Sequence, residues 1–141
     1  MILYLDTSAL VKLYIEEACS QEVKKAVHKS QIVSTSRVAY VEARAGIARK
    51  YREGEFSNEE YDQVVGDLVR DWDNYFIMEV SESVAKLGGI LAERQSLRGF
   101  DAIHLASAII LRDRARLDVA FSCFDERLKA AAVAEGLSVI G

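Results

Sequence analysis

The sequence predicts an α/β fold, a three-layer sandwich with a mainly parallel central sheet. Three observations predict it. Short apolar runs alternate with helical segments along the whole chain. The first run, Met1-Ile2-Leu3-Tyr4-Leu5, is unbroken, as expected of a strand covered on both faces. A late helix is apolar on nearly every side from Ala102 to Leu111 and so belongs in the centre of the molecule. With no proline, no Ser/Gly-rich linker and no internal repeat, the 141 residues read as one domain, 1–141.

The elements follow in order. Strand 2–6 ends at Asp6, and Thr7-Ser8-Ala9-Leu10 leads into helix 8–17. Helix 19–29, strand 31–35 and helix 37–53 come next. Ser57 before Asn58-Glu59-Glu60 starts helix 58–73, with acids in its first turn where the helix dipole favours them. Strand 75–79 and helices 82–97 and 101–114 precede strand 118–123. Helix 126–135 stops at Gly136, a residue suited to the left-handed turn that ends helices, and strand 137–140 closes the chain.

Composition narrows the function. A chain of this size buries roughly 68–70% of its unfolded surface, and half of its residues are apolar, so a packed core is expected rather than disorder. No apolar stretch approaches the roughly 20 residues that span a bilayer, and Met1 enters a strand pattern with no basic leader. Cys19 and Cys123 form no spacing motif, which points to a reducing cytoplasm and away from a zinc knuckle. With only His28 and His104, a histidine-rich metal site is excluded. Any bound metal must be held by hard oxygen ligands, as Mg²⁺ or Mn²⁺ is. The net charge of −4 is unevenly spread. Residues 53–82 hold ten acids against Arg70, while Arg37, Arg44, Arg49, Lys50 and Arg52 cluster around Glu42, and Arg94, Arg98, Arg112, Arg114 and Arg116 form a second basic group. A polyanion can dock locally on such a surface; solvated helix faces are the plainer reading.

Four acids carry the chemistry: Asp6, Glu42, Asp101 and Asp125. Asp6 and Asp125 both follow a predicted strand and precede a helix. In open parallel sheets ligands bind beyond the carboxyl ends of the strands. For Asp6, Asp101 and Asp125 the plain alternative is helix capping, worth roughly 0.5–2 kcal/mol over alanine. Glu42 does not fit that alternative. It falls mid-helix, on an apolar stripe read through Val38, Val41 and Ala45, where a lone carboxylate needs a partner such as Arg37, Lys12 or a metal. Four carboxylates drawn from distant segments suit two divalent ions that activate water and neutralise a transferring phosphoryl group. Thr7 and Ser8 add hydroxyls beside Asp6, with a first-turn cap as the alternative role.

The remaining candidates favour structure. His104 lies one turn from Asp101 and can face the site, but a hydrogen-bonded core histidine is the preferred reading. Ser8 has no serine-hydrolase context. Cys123 is read as a buried strand thiol. Tyr14, Tyr40, Tyr51 and Phe100 can stack on bases, and are read as packing aromatics.

Three stretches resemble one family: Leu3-Tyr4-Leu5-Asp6-Thr7-Ser8-Ala9-Leu10, Arg98-Gly99-Phe100-Asp101-Ala102-Ile103-His104-Leu105-Ala106, and Phe124-Asp125-Glu126-Arg127-Leu128. With Glu42 on the helix after the second strand, they resemble PIN-domain proteins, in particular VapC-type toxin ribonucleases. The resemblance implies a PIN-like fold, Mg²⁺- or Mn²⁺-dependent cleavage of RNA, and Asp6, Glu42, Asp101 and Asp125 as metal-binding acids. It also implies a hydroxyl beside the first acid, with Ser8 favoured over Thr7, a homodimer, and a cognate antitoxin protein whose tail covers the site. Cys123 departs from the Ser or Thr that the family often carries two positions before its last acid. The expectation is a cytoplasmic, metal-dependent endoribonuclease, the toxin of a toxin–antitoxin pair; its rival is a non-catalytic PIN-like module that binds RNA or protein.

Overall fold

The computed structural model describes residues 1–141. Five strands, β1 (Ile2–Leu5), β2 (Ile32–Ser36), β3 (Phe76–Met78), β4 (Val119–Ser122) and β5 (Ser138–Ile140), form one sheet in the order β3-β2-β1-β4-β5. Every pairing is parallel, with Ile2 opposite both Ile32 and Val119. Seven helices connect them: α1 (Thr7–Val11), α2 (Ser20–Lys29), α3 (Arg37–Arg52), α4 (Asn58–Trp72), α5 (Glu82–Arg94), α6 (Gly99–Arg114) and α7 (Glu126–Ala134).

The pleat of β1 sorts the core into two halves. Ile2 and Tyr4 point into a cluster built with α5, α6 and α7, around Leu91, Leu105, Phe121 and Leu128. Leu3 and Leu5 point into the other, built with α1 to α4, around Leu10, Ala43, Ile47 and Leu68. The predicted three layers follow directly. Helix α6 is the central one, with eight buried residues between Ala102 and Leu111. It lies against α5 at Gly88, where a Cβ would already meet the Ala102 carbonyl oxygen at 3.6 Å. No helix is long and apolar enough to cross a membrane.

Two predicted helices are too long. Helix 8–17 is regular only to Val11, after which Lys12, Leu13 and Tyr14 donate to carbonyls three residues back. Tertiary contacts shape that segment: the Tyr14 hydroxyl donates to Asp71 and meets that of Tyr75, and Lys12 lies 4.7 Å from the centre of the Phe124 ring. Helix 82–97 stops at Arg94, because Ser96 turns left-handed at φ 54° and Leu97 donates back to Ala92 at 3.1 Å while burying its side chain. The predicted strand 75–79 keeps only Phe76–Met78.

The chain runs outward from β1 to β2 and β3, then crosses back to the other side of β1 for β4 and β5. The order therefore reverses between β1 and β4, and a crevice opens beyond their carboxyl ends.

Candidate functional site

Asp6 follows β1 at that crevice and is 4% exposed. Its Oδ1 accepts from the Ala9 amide at 2.9 Å and from the Ser8 hydroxyl at 2.7 Å. Asp125 comes three residues after β4 and caps α7, accepting from the Leu128 amide at 2.9 Å, with its side chain in solvent. Capping is thus a true role for both, and it occupies one oxygen of each. Asp101 is different. The helix begins at Gly99 with Arg98 as its cap residue, so Asp101 sits inside the first turn. It is half-buried and caps nothing.

Glu42 reaches the same place from α3. The apolar stripe read from the sequence is not the buried one. Val41 is 68% exposed, and the face packed on the core is Ala39-Ala43-Ile47, with Glu42 on its flank. Small alanines on that face let α3 approach the core, and the larger exposed valine misleads a reading based on hydrophobicity alone. Neither expected cation partners Glu42: Arg37 is held by Glu79 and Lys12 by Glu17. The donors are His104 and Thr7. His104 Nε2–H donates to Glu42 Oε1 at 3.1 Å, and the Thr7 hydroxyl donates to the same oxygen at 2.5 Å. Thr7 Oγ1 and His104 Nε2 are themselves 3.1 Å apart, closing a triangle. The far ring nitrogen, Nδ1, lies 2.9 Å from the hydroxyl of Tyr4, itself fully buried and stacked on Phe121.

His104 is therefore both the buried, hydrogen-bonded core histidine and a neighbour of the acids. The sequence signal was its position one turn after Asp101. The two hydroxyls divide the work: Ser8 serves Asp6 and Thr7 serves Glu42. Replacing His104 by leucine strands the Tyr4 hydroxyl and removes a donor from Glu42. The expected cost is about 1–3 kcal/mol, the penalty for a buried polar group left unpaired, read as a shift of the urea midpoint. An unchanged midpoint would show that water replaces the imidazole freely.

The electrostatics join the acids into one group. Burial pushes the Asp6 carboxyl above its usual range and the charge of Asp101 adds to it, against the pull of its hydrogen bonds and of His104. Burial also raises Asp101, followed by the charge of Asp125 and then that of Glu42, with His104 and Arg98 opposing. For Glu42 burial acts upward too, but the hydrogen bonds from His104 and Thr7 outweigh it and the carboxyl is held low. Cys123, buried just past β4 rather than within it, is pushed up to about 12 by burial and by the charge of Asp6 among others, so its thiol stays protonated. Glu42 and Asp101 line one cleft, together with Arg98, Gly99, Phe100 and Ile103, while Asp101 and Asp125 line a second that also includes Arg98. Asp101 thus links the acids: it shares one cleft with Glu42 and another with Asp125, and its charge acts on Asp6. No group of three His, Cys, Asp or Glu side chains stands in coordinating position.

Of the aromatics read as packing residues, Tyr14, Tyr40 and Tyr51 do pack, against Tyr75, Trp72 and Tyr61. Phe100 does not: it is 55% exposed. On α3, Lys50 pairs with Glu17 and Glu55, and Arg44 donates to the Tyr40 hydroxyl.

Comparison with known proteins agrees with this fold. The pattern of the PIN domain matches residues 3–134. A protein named Ribonuclease VapC45, from Mycobacterium tuberculosis, is 32% identical over 142 aligned residues, covering 98% of this chain and 94% of that one. The fold superposes on FitAcB from Neisseria gonorrhoeae with a TM-score of 0.73 at 17% identity, covering 100% and 97% of the two chains. It also superposes on a toxin–antitoxin complex from Klebsiella pneumoniae with a TM-score of 0.62 at 22% identity, covering 84% and 83%. The family pattern spans nearly the whole chain, from β1 through α7, and takes in every one of the four acids: this chain belongs to the PIN domain family.

Proposed function

We propose that this chain is a metal-dependent endoribonuclease, the toxin of a type II toxin–antitoxin pair. One observation carries the reading. Carboxylates from distant segments border neighbouring clefts, Glu42 and Asp101 on one and Asp101 and Asp125 on the next, and Asp6 and Asp101 are held above their usual range by burial and by the charge of neighbouring acids. A structural core gains nothing from gathering like charges; a site for cations does. The name of the Mycobacterium relative supports RNA as substrate, and the Klebsiella complex supports an antitoxin protein as partner. Cytoplasmic location and a homodimer complete the reading.

The donor set fits Mg²⁺ or Mn²⁺. All four ligands are hard carboxylate oxygens, and Asp6 and Asp125 each spend only Oδ1 on their caps. Asp6, Glu42, Asp101 and Asp125 would hold the ions, with the Ser8 hydroxyl at the edge of the set. When bound, such ions neutralise charge at phosphorus and make water a competent nucleophile near pH 7. The residues of the chain supply position. Thr7 and His104 fix Oε1 of Glu42, Ser8 and the Ala9 amide fix Asp6, and Asp101 is left free to turn.

The test is cleavage of RNA by the purified protein with Mn²⁺, with Mg²⁺ and with EDTA. Cleavage that needs the cation and stops with EDTA is expected. Cleavage that survives EDTA would overturn the metal assignment, and intact RNA under every condition would overturn the enzyme reading.

A further inference from the structure

The cleft beside Glu42 and Asp101 has a wall that the acids do not explain. We infer that Phe100 and Arg98 form a nucleotide-binding subsite, in which the Phe100 ring stacks on an unpaired base and the Arg98 guanidinium takes the adjoining phosphate. The inference rests on the endoribonuclease reading and specifies its substrate: RNA that is single-stranded next to the cut.

Phe100 spends more than half of its surface in water, which wastes the burial a phenylalanine brings to a core. Other large apolar side chains are exposed, Val41, Phe76 and Ile90 among them, but Phe100 is the one that shares a cleft with two of the acids. That cleft measures about 490 Å³ and is open to solvent. Its chain neighbours Arg98 and Phe100 apart, a Cβ at Gly99 would meet no side chain within 4 Å.

Arg98 is the second observation. Arg37, at the start of α3, is engaged with Glu79. Arg98 is exposed, makes no cap to its own helix, and enters none of the ion pairs of the chain. It lines the Phe100 cleft and also the second cleft, with Asp101, Asp125 and Arg127. A strand passing from one cleft to the other crosses Arg98 and Asp101 together. Its base meets an aromatic face, which accepts every base because every base has a π-face, and its phosphate meets an unpaired cation. A protein partner is the poorer fit. The cleft that Phe100 lines holds only one other apolar side chain, Ile103, beside Arg98, Glu42 and Asp101, so it offers a protein little apolar area to bury.

The experiment uses the full chain and a fluorescent single-stranded oligoribonucleotide, with the matching duplex as control. Anisotropy in EDTA reports binding, and cleavage in Mn²⁺ reports KM and kcat. Phe100→Ala is expected to weaken single-strand binding and raise KM by about 5- to 150-fold, the range for loss of one stacked base, with kcat little changed. Phe100→Trp should restore both, since the indole stacks as well. Arg98→Gln should lower the salt slope by about 0.7, one phosphate contact on a single strand. Binding and KM at wild-type values in Phe100→Ala, when the wild type itself cleaves, overturn the subsite and leave the enzyme reading intact. So does a variant that loses capture by a co-expressed small protein partner while keeping its KM. A wild type that neither binds nor cleaves overturns the enzyme reading, and the subsite with it.

Discussion

Asp101→Asn is expected to reduce RNA cleavage by at least about 10²–10³-fold, the scale of losing one charge-stabilising group, while the metal-free protein melts no lower than the wild type. The two halves of this result come from one geometry. Asp101 sits in the first turn of α6 without capping it, and Arg98 is the residue before the helix. Asn therefore removes a charge without removing a cap. The charge it removes is the one that burial and Asp125 push toward protonation, so its loss relieves repulsion in the folded state. A residue present only for the helix would behave oppositely: activity would hold, and the melt would move by no more than a favourable first-turn acid contributes, about 0.3–1 kcal/mol. Asp6→Asn should also abolish cleavage, with the Ala9 bond kept because Asn is itself a good cap. Asp125→Asn should be milder, because that carboxylate is exposed and reaches the group from the far side of Asp101. Near-wild-type cleavage by both Asp101→Asn and Asp6→Asn would sink the assignment of the acids.

Sheet and layers were legible because each rests on a pattern that the chain repeats. An unbroken apolar β1 and an all-round apolar α6 can be satisfied only in the middle of a covered sheet. Most helix ends were legible to within a residue, those of α2, α4 and α6 among them, but the ends of α1 and α5 were not. Helices α5 and α7 end the same way, on a left-handed residue followed by a buried leucine that donates five residues back, Leu97 to Ala92 and Leu137 to Ala132. Gly136 announces the second ending, whereas Ser96 conceals the first. The position of Asp6, Asp101 and Asp125 at helix starts was legible from their sequence neighbours, but the partners of Glu42 were not. A helix wheel of α3 weighs valine above alanine, so it chose the exposed side. Nothing in local spacing joins Glu42 to Thr7 or His104, 35 and 62 residues away. Phe100 was misread for the reverse reason: aromatic residues usually pack, and only the structure shows one left in water beside the acids.

The second large effect is the response to a cation, and its dependence on pH. Asp6 and Asp101 hold their protons more tightly in the folded metal-free protein than in the unfolded chain. Their stabilising contribution is complete below the unfolded carboxyl value of about 3.9 and is lost as pH rises through their raised folded values. Glu42, held low, runs the other way: its contribution is present above about 4.3 and is lost as pH falls through its folded value. As pH rises the metal-free protein therefore carries a growing cost for ionising Asp6 and Asp101, and a divalent cation should relieve it. Binding to the folded form alone stabilises by about 2.7 kcal/mol at a hundredfold excess over Kd. For a chain of this size that is roughly 5–11 °C in Tm. Because a cation takes only deprotonated carboxylates, the shift should be larger at pH 7.5 than at pH 5. Asp101→Asn should lose most of it at every pH. Melts of wild type and variant with Mn²⁺ and with EDTA, at pH 7.5 and at pH 5, make the comparison. A wild-type melt unmoved by millimolar Mn²⁺ at pH 7.5, or one that moves equally in Asp101→Asn, would show that these carboxylates are not gathered to hold a cation.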